Sequence, residues 1–252
     1  MKIAVCVKQI VDTEEMIRVE PDGSLDMVGQ AQVIDPYGEF CVERAVQLKE
    51  ERGGEVVIVS VGENSALTAV RHALAMGGDR AIVIEDVAWH EMSPALKAAQ
   101  LAEAMRAEEF DVIMGGWKSG DTGNAQVMGR VAELLHWPFA SMVTSLQIED
   151  GGVRVECETD DGSFEASLPF PLVVSVQQGF AEPRYPTVRD VIQARKKPIE
   201  YLAAADFDCS GEATLVSRAV KPPRGGGRIV SGGTAEAVTE TVRCLREEAK
   251  VL

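Results

Sequence analysis

The chain of 252 residues has few aromatics, few histidines and few positive charges. Phe, Trp and Tyr make up 5% of it while Ala, Val and Ile are plentiful, a balance suited to α/β layers rather than an all-β sandwich. Three histidines, His72, His90 and His136, argue against a histidine-based metal site. The five cysteines, Cys6, Cys41, Cys157, Cys209 and Cys244, are scattered, and no two are spaced as a zinc or redox pair. An odd number of unpaired thiols points to the cytoplasm. Lys and Arg number 25 against 40 Asp and Glu, a formal net charge of -15. That balance excludes nucleic acid and anionic membranes as expected partners. No apolar run approaches a membrane span, so no membrane insertion is expected. The start, MKIAVCVKQI, has the lysine and short apolar run of a signal peptide, but no small-residue cleavage site follows, and a buried first strand is expected instead. Neither G-x-x-x-x-G-K-[ST] nor G-x-G-x-x-G occurs, and no internal repeat is visible.

What the chain does have is alternation. Lys2 to Lys8 is mostly apolar and reads as a strand buried on both faces. In IDPYGEFCVERAVQLKEERGG, Asp35 is placed to cap a helix and Pro36 to open it. Val42, Ala45 and Val46 then share one face, and Gly53-Gly54 stops the helix. EVVIVSVG is a second strand; ENSALTAVRHALAMGG is a helix with Leu67, Val70 and Leu74 on one side, ended by Gly77-Gly78. RAIVIED is a third strand, SPALKAAQLAEAMRAEEF a helix with a Ser93 cap and Pro94, and DVIMGG a fourth strand. The stretch GGWKSGDTGNAQVMGR leads from there into VAELLHW, again helical. This pattern predicts an α/β fold, a parallel doubly wound sheet in three Rossmann-like layers.

Beyond Trp137 the composition turns to β-formers. Turns at Asp150-Gly151-Gly152 and Asp160-Asp161-Gly162 predict an antiparallel hairpin region. EPRYPTVRDVIQARKKP follows, with a short helix and a basic end at Arg195-Lys196-Lys197. KPPRGGGR, Lys221 to Arg228, reads as a flexible joint. Thr234 to Leu252 reads as a final helix with Val238, Val242, Leu245 and Ala249 on one stripe. The expected organisation is an α/β domain over residues 1–200, including segment 183–194, and a C-terminal arm over 201–252.

The glycine-bearing loop after the fourth strand sits where doubly wound proteins bind ligands, at the carboxyl ends of the strands. Gly120, Gly123 and Ala125 permit close backbone approach, and Asp121, Thr122, Asn124 and Gln126 bring polar side chains. The residues alone leave two readings open, an ordinary strand-to-helix turn or a cradle for an anion at a helix N-terminus. Cys6 to Lys8, Asp35 to Gly38 and Ser60 to Gly62 meet the same sheet edge, and together these segments describe a pocket for an adenine nucleotide. No lysine is placed as in a phosphate-binding P-loop, so the pocket suits holding a nucleotide more than cleaving it. No catalytic constellation is visible. Cys6 reads as core, His72 as a polar-face residue and His136 as structural, and no carboxylate pair stands out. Trp117 either has a plain packing role or stacks on a ring or shields the pocket. Glu182 to Pro198 is either a connecting helix or, as the most basic cluster on an acidic chain with an apolar tip at Val188, a docking element.

Nearly the whole chain resembles the β subunit of electron-transfer flavoprotein. The resemblance rests on MKIAVCVKQIVD, DPYGEFCVERAVQLKE, ALAMGGDRAIVI, the D-T-G-N-A-Q-V loop, ELLHWPFAS and above all EPRYPTVRDVIQARKKPIE. It implies a heterodimer with an α subunit that carries most of the FAD site, and a β subunit that has no catalytic residues of its own and holds a structural AMP. It further implies electron transfer from flavin dehydrogenases, such as those acting on acyl-CoA, to a quinone oxidoreductase or similar acceptor. Carried over by position, the AMP pocket comprises Cys6, Asp35, Pro36, Tyr37, Gly38, Val61 and the loop Gly116, Trp117, Lys118, Ser119, Gly120, Asp121, Thr122, Gly123, Asn124, Ala125, Gln126 and Val127. The partner-recognition segment comprises Pro183, Arg184, Tyr185, Pro186, Thr187, Val188, Arg189, Asp190, Val191, Ile192, Gln193 and Ala194, with Val188 as the hydrophobic anchor. Glu158 matches an acidic residue that controls the swing of the flavin domain. The arm over 201–252 is expected on the α subunit.

The chain departs from that pattern at Asp35, where many relatives have asparagine, at Trp117-Lys118, at Thr13, where some have an aromatic near the flavin, and at Gln193, where lysine is common. Within the family, electron-bifurcating members hold a second FAD in place of AMP, and their loop has glycine where this chain has Met128. Met128 and Trp117 favour AMP here. Outside the family, a universal-stress-type nucleotide-binding protein shares the layered fold but needs neither the EPRYP segment nor the long tail.

Overall fold

The computed structural model describes residues 1–63, 67–87, 89, 92–209, 222 and 226–252. By their contacts these group into one unit of Met1–Ile17 with Asp26–Ser217 and another of Arg18–Leu25 with Arg218–Leu252.

The first unit is built on a nine-stranded sheet. Its strands are β1 (Lys2–Cys6), β4 (Glu55–Gly62), β5 (Arg80–Glu85), β6 (Val112–Gly116), β7 (Phe139–Glu149), β8 (Gly152–Thr159), β9 (Gly162–Pro169), β10 (Leu172–Val176) and β11 (Ile199–Ala203), while β2 (Gln9–Val11) and β3 (Gln32–Ile34) form a small antiparallel pair. The large sheet runs β11-β5-β4-β1-β6-β10-β7-β8-β9. It is parallel from β11 through β7 and antiparallel across β7-β8-β9. The chain moves outward from β1 to β4 and β5, then crosses back to β6 on the other side of β1. That reversal is the switch point of a doubly wound sheet, and it opens a crevice at the carboxyl ends of β1 and β6.

Alternate strand residues feed two cores. Ile3, Val5, Ile58 and Met114 point to one face, where α1 (Pro36–Arg52) and α2 (Leu67–Met76) cover them with Val42, Val46, Val70 and Leu74. Ala4, Val57, Ile82 and Ile113 point to the other, under α3 (Pro94–Arg106) and α4 (Val127–Leu135), which supply Leu101, Met105, Met128 and Val131. The expected caps are in place. Asp35 accepts from the Tyr37 amide at 3.0 Å with Pro36 opening α1, and Ser93 Oγ accepts from the Leu96 amide at 3.1 Å. The first residues of the helix expected from Glu63, 64–66, lie outside the described residues.

Past Trp137 the hairpin turns fall where expected, and the hairpins extend the main sheet. The helix in the EPRYP segment is α5 (Val188–Ala194), opened by a reciprocal cap between Thr187 and Asp190. Its basic end is not simply solvated. Lys197 Nζ donates to the carbonyls of Leu74 at 2.8 Å and Gly78 at 2.6 Å, satisfying the C-terminus of α2, where unpaired carbonyls favour a cation. β11 follows directly, parallel to β5, a strand for which the half-exposed run Ile199–Ala203 gives no clean alternation.

In the second unit, Val19 bridges Leu25, and α6 (Thr234–Arg243) runs into one π-helical turn, Cys244–Glu248. The helix expected through Leu252 stops there because Lys250 takes φ 52 and the Val251 amide turns back to the Leu245 carbonyl. Val238, Val242 and Leu245 are exposed along α6 and its last turn. Half of the expected joint, 221 and 223–225 of 221–228, lies outside the described residues.

Candidate functional site

The ends of β1, β4 and β6 and the starts of α1, α3 and α4 enclose a cleft at the switch point, with about 880 Å³ of free space including its mouth. Of the expected pocket residues, Cys6, Asp35, Gly38 and Val61 line it, with Gly116, Trp117, Lys118, Ser119, Thr122, Asn124, Ala125, Gln126 and Val127 from the loop. Pro36, Tyr37, Gly120 and Gly123 line an adjacent cleft shared with Thr13 and Phe40. Asp121 lines neither. Trp89, Pro94, Lys97 and Leu101 also wall the main cleft. Their side chains carry no local motif; the one pointer was the Ser93-Pro94 helix start, which follows β5 at this same sheet edge.

Asp35 organises the loop. Besides capping α1, its carboxylate accepts from the Gly120 amide at 2.6 Å, so one side chain ties the start of α1 to the loop after β6. Burial raises the Asp35 carboxyl despite those two amides. Lys8 Nζ reaches Asp121 at 2.5 Å and Ser119 Oγ at 3.2 Å, fixing the outer side of the loop. Burial works to raise the Asp121 carboxyl, but the charge and hydrogen bonds of Lys8 outweigh it and hold it low. Burial pushes the Cys6 thiol up to about 12, so it stays protonated and is no nucleophile at neutral pH.

The loop then turns through Gly123 at φ 61 and Ala125 at φ 53, two left-handed positions in three residues. A Cβ on Gly123 would meet no atom within 4 Å, so the glycine serves the backbone angle and not the packing. This course brings the chain into α4 with no side-chain cap at Gln126. The amides of Asn124, Ala125 and Gln126 find no acceptor among the described residues, and the first amides of α4 have none within the helix. A concave run of open amides at a helix N-terminus is a site for an anion. Met128 is buried across Gly115, where an added Cβ would lie 2.4 Å from its sulfur. The Lys118 ammonium lies 4.5 Å over the Trp117 ring, and Trp117 Nε1 is buried without a hydrogen-bond partner among the described residues.

The expected recognition segment is displayed in parts. Arg184 is turned inward: its guanidinium holds the buried Glu43 at 2.8 Å and Glu50 at 2.7 Å. Burial works to raise the Glu43 carboxyl, and Arg184 more than reverses that. Thr187 and Asp190 are engaged in the cap, Pro183 and Pro186 are half-buried and Ala194 is buried. Tyr185, Val188, Val191 and Ile192 are left exposed as one apolar group, flanked by exposed Arg189 and Gln193. Glu158 is exposed on β8, opposite Ser163 of β9. Among the described residues no cluster of His, Cys, Asp or Glu is placed to hold a metal, and no helix is long and apolar enough to cross a membrane.

Sheet order and helix layers define a doubly wound α/β protein with a cleft at the carboxyl edge of its strands. A family model described as "Electron transfer flavoprotein domain" matches residues 23–207. Over its full length the chain is 36% identical to "Electron transfer flavoprotein subunit beta" of Bacillus subtilis (strain 168), also covered in full. It is 35% identical to the protein of that name from Syntrophomonas wolfei, with 100% of this chain and 98% of the relative covered. For the Sus scrofa protein of that name the identity is 33%, with 100% and 99% covered. The chain belongs to the electron transfer flavoprotein β subunit family.

Proposed function

We propose that this chain is the β half of a heterodimeric electron-transfer flavoprotein, cytoplasmic, with a structural AMP in the switch-point cleft. The α subunit holds most of an FAD, and the bound flavin supplies the redox chemistry; this chain contributes no catalytic residue. Its own residues bind, orient and dock. Electrons come from a flavin dehydrogenase gripped by the apolar group around Val188 and leave to a quinone oxidoreductase or similar acceptor. The observation that carries the nucleotide assignment is the uncapped start of α4, whose open amides face a cleft walled by apolar Val61, Leu101 and Met128. Such a cleft offers apolar walls for a flat base and open amides for a phosphate. A second FAD in place of AMP is the competing reading; Met128, which lines this cleft where bifurcating members have glycine, favours AMP.

Assembly is tested through the arm. Covering Val238, Val242 and Leu245 against the α subunit would contribute about 4 kcal/mol before ordering costs. Deleting Gly226–Leu252 is therefore expected to weaken heterodimer formation at least tenfold, with loss of FAD, in co-expression and pull-down. Full-length chain that binds no α subunit and no FAD would contradict the reading; a truncated chain that assembles normally would limit the failure to the arm.

A further inference from the structure

The charged groups around the cleft are accounted for, except one. Lys8 is held by Asp121, and Asp35 by the amides of Gly120 and Tyr37. Lys118 is stacked on Trp117. Lys97, in the first turn of α3, lines the cleft half-buried and has no acceptor among the described residues. A desolvated cation without a counter-charge is unfavourable. The open amides before α4 line the same cleft and lack acceptors too, so two independent donors call for one anion.

Resting on the nucleotide reading above, we propose that Lys97 is the counter-ion for the phosphate of the nucleotide in this cleft, and that it sets the pH range over which the nucleotide is held. Burial, then the charge of Lys8, lower the Lys97 ammonium to about 8, against a smaller opposing pull from Asp121. The other titratable groups lining the cleft are Cys6, Lys8, Asp35 and Lys118, and Asp121 acts on Lys97 from beside Lys8. Cys6 stays protonated across the neutral range, since burial pushes it up to about 12. A phosphate monoester is a dianion above about pH 6. Below about pH 8 Lys97 is already charged when the ligand arrives; above it, binding must take up a proton. Affinity is thus full near pH 7 and falls as pH rises.

The test measures AMP affinity in the assembled heterodimer at pH 7 and pH 9 for wild type, Lys97→Arg and Lys97→Met. Wild type is expected to weaken about tenfold between the two. Lys97→Arg, charged at both, should bind well with that dependence gone. Lys97→Met should bind at least tenfold more weakly at pH 7 and show no dependence, with FAD content unchanged. If Lys97→Met binds like wild type, or Lys97→Arg keeps the wild-type pH profile, the inference falls while the nucleotide reading stands. If FAD-loaded wild type binds no AMP at either pH, both fall.

Discussion

Val188→Asp is expected to leave the heterodimer, its FAD and its chemical reducibility intact while cutting electron uptake from the donor dehydrogenase about a hundredfold at subsaturating concentration. Val188 is 78% exposed, so no core is disturbed. It is the first residue of α5, directly after the Thr187 cap, where an added carboxylate is favoured by the helix dipole. Folding and function are therefore separable at this position. Val191 and Ile192, three and four residues further along α5, share its face, and Tyr185 just before the helix is also exposed. Burying a charge at the centre of such a contact costs about 3 kcal/mol, or about two powers of ten. The measurement is steady-state transfer at equal flavin. Equal rates for the two proteins would show that this segment is only a connection and that docking lies elsewhere.

Gly116→Val should empty the cleft, lowering bound nucleotide at least tenfold with the heterodimer still formed. Gly116 ends β6, and a Cβ there would lie 2.5 Å from Tyr37 Cβ and 2.9 Å from the Lys118 carbonyl. Neither atom is the free end of a flexible side chain, so the loop must shift away from α1. That movement strains the Gly120–Asp35 hydrogen bond and displaces the amides before α4. Overpacking of this kind costs about 1–3 kcal/mol. Nucleotide released from the washed variant, compared with wild type, reads the effect. Undiminished nucleotide would place the ligand away from this loop.

The layers were legible because their signals are local. Asp35-Pro36 and Ser93-Pro94 announce helix starts, paired glycines announce ends, and strands buried on both faces read as apolar runs. The loop after β6 was legible as a glycine-bearing strand-to-helix connection for the same reason. What stayed hidden depends on distant partners. Lys197 looks like part of a solvated basic cluster until α2 is seen to need donors at its end. Ile199–Ala203 is half-exposed beside β5 and shows no clean period. Lys97 sits in an ordinary helical stretch, and only the packing of α3 beside α4 brings it to the cleft. Arg184 reads as part of the partner-recognition segment, yet the buried carboxylate it answers, Glu43, is far away in sequence.

The most direct test of the central claim is the nucleotide inventory of the heat-denatured heterodimer. Separation and quantification should give one AMP per β subunit and one FAD per heterodimer. Two FAD and no AMP would contradict the account and assign the switch-point cleft to a second flavin.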